Sequence, residues 1–181
     1  MCFYPSGGLP CGWLWRSRRH SLCLNGCAGK TTPPEPAAPR SATVVSASQG
    51  KTWDAVIDVF AERNIPIRNM ERVSGLIVTE DLGVNNSDGT TWADCGRVTG
   101  AWYEKPKRRS GDKKKGTPVA PGHATYNVLV RGDSTRSTVK VTVRWTARGL
   151  KVDSPVVECS TLGVWEGETE MEIKNRAEGR E

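Results

Sequence analysis

The stretch that decides the fold is residues 124–148, ATYNVLVRGDSTRSTVKVTVRWTAR. Its second half alternates strictly between the apolar side chains of Val139, Val141, Val143 and Trp145 and the polar side chains of Lys140, Thr142, Arg144 and Thr146. A period of two predicts an antiparallel strand with one buried face and one solvated face. The tripeptide Arg131-Gly132-Asp133 resembles an adhesion motif, but Gly-Asp is ordinary turn chemistry. The stretch therefore predicts a β-hairpin.

A helix predicted at residues 51–64, KTWDAVIDVFAERN, supplies a cover for the buried face of that hairpin. Four apolar residues recur at helical spacing and form one stripe, whereas the charged residues face solvent. The stripe consists of Trp53, Val56, Ile57 and Phe60, and the charged face consists of Asp54, Asp58, Glu62 and Arg63.

The remaining predicted elements are a strand at 43–45, a hairpin over 64–82, a long loop over 83–123 and a last helix within 156–179. Ser160 or Thr161 would cap that helix, whose stripe would contain Leu162, Trp165, Thr169 and Ile173. Five glutamates, at positions 158, 166, 168, 170 and 172, make this end acidic. The order predicts a single α+β domain over residues 43–179, an antiparallel sheet covered on one face by two helices.

The cysteines divide into two groups along the chain. Four lie within the first 27 residues, and only Cys95 and Cys159 lie in the predicted domain. In an oxidising compartment these two would form a disulfide. By the chain-entropy relation, closing this loop would stabilise the folded state by about 4 kcal/mol. In the cytosol they would instead be two unrelated buried thiols.

The residues before the domain are similar to a lipoprotein leader. Residues 1–26 place three arginines before a short apolar piece, and Leu24, Gly26 and Cys27 match a lipobox, which makes Cys27 the predicted site of lipidation. Residues 27–42 contain four prolines and no large apolar side chain, which predicts an extended spacer. Alternatives are a disordered tail, or a zinc site formed by Cys11, His20, Cys23 and Cys27, whose spacing matches no common zinc finger.

The AGKTT segment at 28–32 is not a phosphate-binding loop. Leu24 stands where that motif needs glycine, and the prolines that follow would break the helix that holds the phosphate.

Basic charge is concentrated in residues 105–115, KPKRRSGDKKK, a long insertion between the two predicted hairpins. From Cys27 onward basic residues outnumber acidic ones by three, and without this run acidic residues would be in excess by three. On an exported protein the run would contact anionic lipid headgroups. In the cytosol it would bind nucleic acid, with Trp102 and Tyr103 beside it for stacking. The seven predicted contact residues are Lys105, Lys107, Arg108, Arg109, Lys113, Lys114 and Lys115.

Catalytic chemistry has little support. The chain contains two histidines, His20 in the leader and His123 in a predicted loop, and neither has an evident nucleophile beside it. The sequence thus predicts a protein that is not an enzyme, with no catalytic residue, no cofactor and no metal.

Residues 52–81 resemble the repeat unit of BamC-like (NlpB-type) outer-membrane lipoproteins, in which a Trp-containing helix leads through an apolar strand and a Gly turn to a second strand. The matching positions are Trp53, Ile57, Ile67, Gly75, Ile77 and Thr79. The closing VECSTLGVWE at 157–166 is similar to a Cys-x-Ser-Thr-Gly-x-x-Glu ending of bacterial envelope lipoproteins, with Leu162 inserted. The resemblance implies a helix-grip-like fold and carries no catalytic residues.

Together these patterns predict a non-catalytic, lipid-anchored protein of the bacterial cell envelope that faces the periplasm. It would act as a binding or scaffolding module, with the membrane, other envelope proteins or anionic lipids as partners. The alternative is a cytosolic protein that binds nucleic acid through residues 105–115, and nucleic acid is the less favoured partner.

Overall fold

A computed structural model describes residues 30–84, 91–99, 117–148 and 156–180. Within these residues, helices α1 (Gln49–Glu62) and α2 (Val164–Ala177) accompany eleven strands. The strands are β1 (Lys30–Thr32), β2 (Thr43–Val45), β3 (Ile67–Glu71), β4 (Leu76–Thr79), β5 (Leu82–Gly83), β6 (Ala93–Asp94), β7 (Arg97–Thr99), β8 (Thr117–Pro118), β9 (His123–Gly132), β10 (Ser137–Arg148) and β11 (Val156–Thr161).

Eight of these strands form one antiparallel sheet. Its main path runs β3-β4-β9-β10-β11-β6, while β2 pairs with β10 and β5 pairs with β9. The hairpin β9–β10 is the centre of the sheet, in a register that sets Val141 opposite Val128. The strands β1, β7 and β8 form a separate three-stranded antiparallel sheet. The predicted fold class, an antiparallel sheet with two helices, is confirmed.

The alternation along the central hairpin sets the two faces of the sheet. Val139, Val141, Val143 and Trp145 are buried, and so are their neighbours on β9 from Ala124 to Val130 at alternate positions. Both helices pack on this face and belong to the same hydrophobic core. The opposite face, which carries Lys140, Thr142 and Arg144, is exposed. The period of two therefore predicted correctly which side of the sheet is covered.

Helix α1 begins at a serine cap and buries a stripe wider than the predicted one. The Ser48 hydroxyl accepts a hydrogen bond from the Lys51 N–H at 3.3 Å, which satisfies one of the free amides of the first turn. Trp53, Val56 and Phe60 are buried as predicted, whereas Ile57 is only partly buried.

The turn between β3 and β4 requires glycine. Gly75 has φ +69°, and a Cβ placed on it would stand 1.9 Å from the carbonyl oxygen of Val130. The close approach exists because the Val130 N–H donates to the Gly75 carbonyl at 2.8 Å, which joins the turn to β9.

The start of the last helix differs from the prediction. Ser160 and Thr161 belong to β11, because this segment pairs with β10 and then with β6, and α2 begins at Val164 after Gly163. Thr161 still serves the helix N-terminus, since its hydroxyl accepts from the Gly163 N–H at 3.0 Å. Leu162, predicted in the buried stripe, is 54% exposed because it precedes the helix.

The acidic end is not uniformly solvated. Trp165, Thr169 and Ile173 form the buried stripe as predicted, but Glu166 and Glu170 are buried beside them at 1% and 2% exposure. A buried carboxylate requires hydrogen-bond donors or a counter-charge. The partners of these two carboxylates are the most distinctive feature of the described residues.

Candidate functional site

The predicted site residues fall into two groups. Cys27 and the seven basic residues, Lys105, Lys107, Arg108, Arg109, Lys113, Lys114 and Lys115, lie outside the described residues. Cys95 and Cys159 lie within them and form the predicted disulfide.

The disulfide is part of a small hydrophobic core that is separate from the main one. Cys95 is 3% exposed and packs with Val119 and Ala147, apart from the main core under the helices. The bond joins the segment containing β6 and β7 to β11 across a sequence separation of 64 residues. By the chain-entropy relation a loop of this length stabilises the fold by about 4 kcal/mol.

The three-stranded sheet brings two distant parts of the chain to one place. In its register Lys30 lies opposite Thr99, and Val98 lies opposite Thr117. The chain that comes from Cys27 therefore enters this sheet at the end where the chain leaves toward residues 105–115 and returns from them. The structure thus places the flanks of the predicted anchor and of the predicted basic contact side by side.

Residues 30–42, which we call the strap, contact the domain, although the sequence predicts an extended spacer here. The strap docks through backbone contacts that need no large apolar side chain. Beyond the β1–β7 ladder, the Glu35 N–H donates to Asp94 Oδ2 at 3.1 Å. Gly96 permits the close passage, because a Cβ there would stand 2.2 Å from the carbonyl oxygen of Thr32.

Arg40, near the end of the strap, forms an ion pair with the buried Glu170. Its Nη2 lies 3.2 Å from Glu170 Oε2, and the Thr43 hydroxyl donates to the same oxygen at 2.7 Å. The other carboxylate oxygen accepts the Val141 N–H at 2.8 Å. One carboxylate therefore joins the strap, β2, the central strand β10 and helix α2.

The position of Glu170 follows from a gap in the sheet. On one edge of β10, β2 pairs with residues 137–139 and β11 pairs with residues 145–148. Between them no described strand continues the ladder, so the Val141 N–H would lack a backbone acceptor. A buried amide without a partner is costly, and the Glu170 carboxylate supplies the missing acceptor.

Two glycines, Gly163 just before α2 and Gly167 within it, accommodate the Arg40 side chain. A Cβ on Gly163 would stand 2.9 Å from Arg40 Cδ, and a Cβ on Gly167 would stand 3.4 Å from Arg40 Nη2. Residues four apart lie on one helix face, so the pair leaves a shallow channel along which the arginine reaches Glu170. Within the described part of the chain, Arg40 Nη1 is buried without a hydrogen-bond partner.

An aromatic cluster fills the core beside these carboxylates. The Tyr126 ring stacks on Trp165 at 4.2 Å and meets Trp145 edge-on at 6.2 Å. The Arg63 guanidinium lies 5.4 Å from the Trp165 ring centre on the other side. Burial raises the pKa of Tyr126 to about 12, with Arg63 opposing the shift and Glu166 adding to it.

The raised pKa of Tyr126 predicts a loss of stability at alkaline pH. An unfolded tyrosine ionises near 10 and the folded one near 12. The stabilisation is therefore complete below pH 10 and lost as pH rises toward 12. We expect the difference in tyrosinate absorbance between the native protein and Tyr126→Phe to titrate near pH 12. A midpoint near 10, while circular dichroism shows a folded protein, would contradict the prediction.

Ion pairs on the surface hold the two helices together. Arg176 of α2 forms two hydrogen bonds with Glu62 of α1, at 2.6 and 2.7 Å. Hydrogen bonding from Arg176 lowers the pKa of Glu62. Arg63 also bonds to Glu172 and to the Thr169 hydroxyl. These contacts connect the two helices, and they pair the arginines with the glutamates across the helix interface.

His123 has a carboxylate partner that the sequence did not reveal. Its Nδ1 lies 3.1 Å from Asp81 Oδ2 on the exposed face of the domain. The Thr125 hydroxyl donates to the same carboxylate, at Asp81 Oδ1, at 3.4 Å. Nucleophilic catalysis requires a hydroxyl that hydrogen-bonds to the base, and within the described residues His123 shows no such bond.

The Arg131-Gly132-Asp133 tripeptide forms the turn that the sequence indicated. Asp133 Oδ1 accepts the N–H groups of Thr135 and Arg136 at 2.7 and 2.9 Å. Hydrogen bonds from the Thr135 and Arg136 N–H groups lower the pKa of Asp133 to about 2. The Asp133 carboxylate accepts its hydrogen bonds from within its own turn. This agrees with the interpretation of the tripeptide as part of a turn.

Neither a metal cluster nor a spanning helix is found in the ranges that the structure describes. No group of three potential ligands comes together in them. Neither α1 nor α2 is long and apolar enough to cross a membrane.

No protein-family model matches the chain, and no curated protein matches it. The resemblance of residues 52–81 to BamC-like lipoproteins stays a prediction. The disulfide and the docked strap are therefore the structural features on which a functional proposal can rest.

Proposed function

We propose that this protein is a non-catalytic, lipid-anchored module of the bacterial cell envelope, attached through Cys27 and facing the periplasm. The observation that carries the proposal is the Cys95–Cys159 disulfide. Structural disulfides persist in oxidising compartments such as the periplasm and are rare in the cytosol.

The arrangement of the three-stranded sheet supports a role for the membrane surface. Cys27 precedes Lys30 of β1 by three residues, a reach of at most about 11 Å. Thr99, the last described residue before the basic run, lies at the same end of the sheet, because it pairs with Lys30. A lipid chain alone binds membranes weakly, and a polybasic segment close to it strengthens the attachment to anionic lipids.

Mass spectrometry of the intact protein, purified from its native membranes with and without reductant, tests the proposal. We expect an N-terminus at Cys27 that carries acyl chains, and a mass two protons short that is regained on reduction. A full-length, unmodified and reduced chain would contradict both the anchor and the export.

That second result would favour nucleic-acid binding by residues 105–115. A salt-dependent titration with a single-stranded oligonucleotide would then be decisive. Binding should be lost when the seven basic residues are replaced, and binding that persists unchanged would exclude the run as the contact. On the described open face of the large sheet, β9 and β10 offer no Phe, Tyr or Trp side chain for base stacking, because Tyr126 and Trp145 are buried on the helix side.

A further inference from the structure

We propose that the channel beside α2 that holds Arg40 is an arginine-binding site, which the strap fills in cis and which an arginine of an extended partner segment can occupy in its place. We call it the guanidinium channel. Gly163 and Gly167 form its wall, and Glu170 lies at its inner end. The inference goes beyond the proposed function and does not depend on lipidation of Cys27.

The acceptor of the guanidinium channel is held by the domain and not by the strap. Glu170 is 2% exposed, and one of its carboxylate oxygens accepts the Val141 N–H at 2.8 Å. The other accepts the Thr43 hydroxyl at 2.7 Å and lies 3.2 Å from Arg40 Nη2. Two of these three donors belong to strands of the sheet and stay in place without the arginine. Because a buried carboxylate also needs a counter-charge, the ligand of this site is a cation.

The wall of the channel favours a flat guanidinium over an ammonium group. A Cβ on Gly163 would stand 2.9 Å from Arg40 Cδ and 3.3 Å from its Nε, and a Cβ on Gly167 would stand 3.4 Å from its Nη2. The arginine therefore runs close to the backbone from its stem to its donor nitrogen. A guanidinium is planar and weakly hydrated, whereas an ammonium is a compact and strongly hydrated charge. A narrow slot that ends in one carboxylate thus selects arginine over lysine.

The channel opens to solvent, and Arg40 fits it incompletely. The Arg40 side chain is 29% exposed, so a second arginine can enter where the first one leaves. Its Nη2 donates to Glu170, whereas Nη1 is buried without a hydrogen-bond partner among the described residues. The strap residues on either side, 36–39 and 41–42, are exposed. Arg40 is therefore held by the channel itself and not by packing of its neighbours, which permits its exchange for another arginine.

Occupation in cis sets how strongly a partner is bound. Arg40 lies three residues before Thr43 of β2 and competes with any arginine in trans at a high effective concentration. The apparent affinity for an arginine segment is reduced by the fraction of molecules whose channel is free. Removing the Arg40 side chain should therefore strengthen binding in trans, whereas a ligand bound elsewhere would not respond.

Titration of the isotope-labelled full chain with the blocked peptide AAPRSA, the sequence of residues 37–42, tests the site. The amide resonances of Val141, which bonds to Glu170, and of Gly167 report binding at the channel. We expect Arg40→Ala to bind this peptide about 10-fold or more tightly than the unsubstituted chain does. The lysine peptide AAPKSA should bind Arg40→Ala far more weakly. Ethylguanidinium should shift the same two resonances of Arg40→Ala, and ethylammonium at equal concentration should not.

Arg40→Ala combined with Gly167→Leu is the matched control. Leucine suits a helix interior, and a Cβ at this position meets Arg40 Nη2 and, within the described residues, no other side chain. The leucine should fill the channel that the arginine leaves and abolish the response to AAPRSA and to ethylguanidinium. Arg40→Lys keeps a positive charge beside Glu170 and so protects the fold where alanine does not, and its affinity for AAPRSA should be intermediate.

Three results would overturn the proposal. The first is equal binding of AAPRSA and AAPKSA to Arg40→Ala, or binding of neither. The second is binding that survives Gly167→Leu unchanged, because the ligand would then lie outside the channel. The third is equal affinity of AAPRSA for Arg40→Ala, Arg40→Lys and the unsubstituted chain, because Arg40 would then not compete for the site.

Discussion

Replacing Glu170 with alanine is expected to lower the free energy of unfolding by about 3–5 kcal/mol, the range for breaking a buried ion pair by removing one partner. The substitution would leave the Arg40 guanidinium without its counter-charge. It would also leave the Val141 N–H in the sheet gap without an acceptor. The Val141 N–H would remain in surroundings from which water is largely excluded, since Glu170 itself is 2% exposed, whereas the Arg40 side chain is 29% exposed.

Glu168→Ala is the matched control for this substitution. It removes the same side chain from the same helix at an exposed position, and should change the unfolding free energy by less than about 0.5 kcal/mol. Glu170→Gln keeps an acceptor for Val141 but loses the charge, and should fall between the two. Equal effects of Glu170→Ala and Glu168→Ala in denaturant unfolding would contradict the role assigned to the buried carboxylate.

Replacing Trp145 with alanine is expected to cost about 3–5 kcal/mol, the usual loss for deleting a large buried aromatic side chain. Trp145 is fully buried near the open end of the hairpin, opposite Ala124, where its ring centre lies 6.0 Å from that of Trp92 and 6.2 Å from that of Tyr126. A cavity there would remove contacts from both neighbours. Chemical denaturation followed by circular dichroism would measure the loss.

Trp145→Phe should be far milder, at about 1–2 kcal/mol. The indole Nε1 of Trp145 is buried, and no hydrogen-bond acceptor meets it in the portion of the chain described. Phenylalanine removes this unsatisfied donor, which offsets part of the packing loss. If the phenylalanine variant were as unstable as the alanine variant, the indole nitrogen would have an important partner that the structure does not show.

Sequence periodicity was enough to predict the elements whose burial is regular. The alternation along 139–146 predicted which face of β10 is covered, and the stripe in 51–64 predicted the core side of α1. In both cases each residue's environment is set by its own element. The cysteine pairing could be predicted as well, because only two cysteines lie in the domain.

The start of the last helix and the contacts of the strap could not be predicted, because both depend on partners distant in the sequence. Val156–Thr161 becomes a strand because the edges of β10 and β6 are there to be paired, and nothing in the segment itself distinguishes a strand from a helix start. Glu170 is buried because the sheet has a gap beside Val141. Such gaps arise only when the strands are assembled.

Of the candidate site, the sequence indicated the disulfide but not the docking of the strap. A proline-rich segment without large apolar residues is usually a spacer, and this one docks through a backbone ladder and a single arginine. The signal that was available is the pair Gly163 and Gly167, which marks a helix face open to close approach. The sequence offered no reason to connect that face with Arg40.

If Cys27 carries the proposed lipid, the docked strap also determines how far the domain can move from the membrane. With the strap in place, the tether would have three residues and would confine the domain to within about 11 Å of the lipid attachment. A strap that left the domain surface over residues 30–36 would lengthen this tether by seven residues, or at most about 25 Å. The volume that the domain searches would then grow severalfold, and its effective concentration at the membrane would fall accordingly. Whether the strap is docked would thus select between a domain held against the surface and one that can reach partners across the surrounding space.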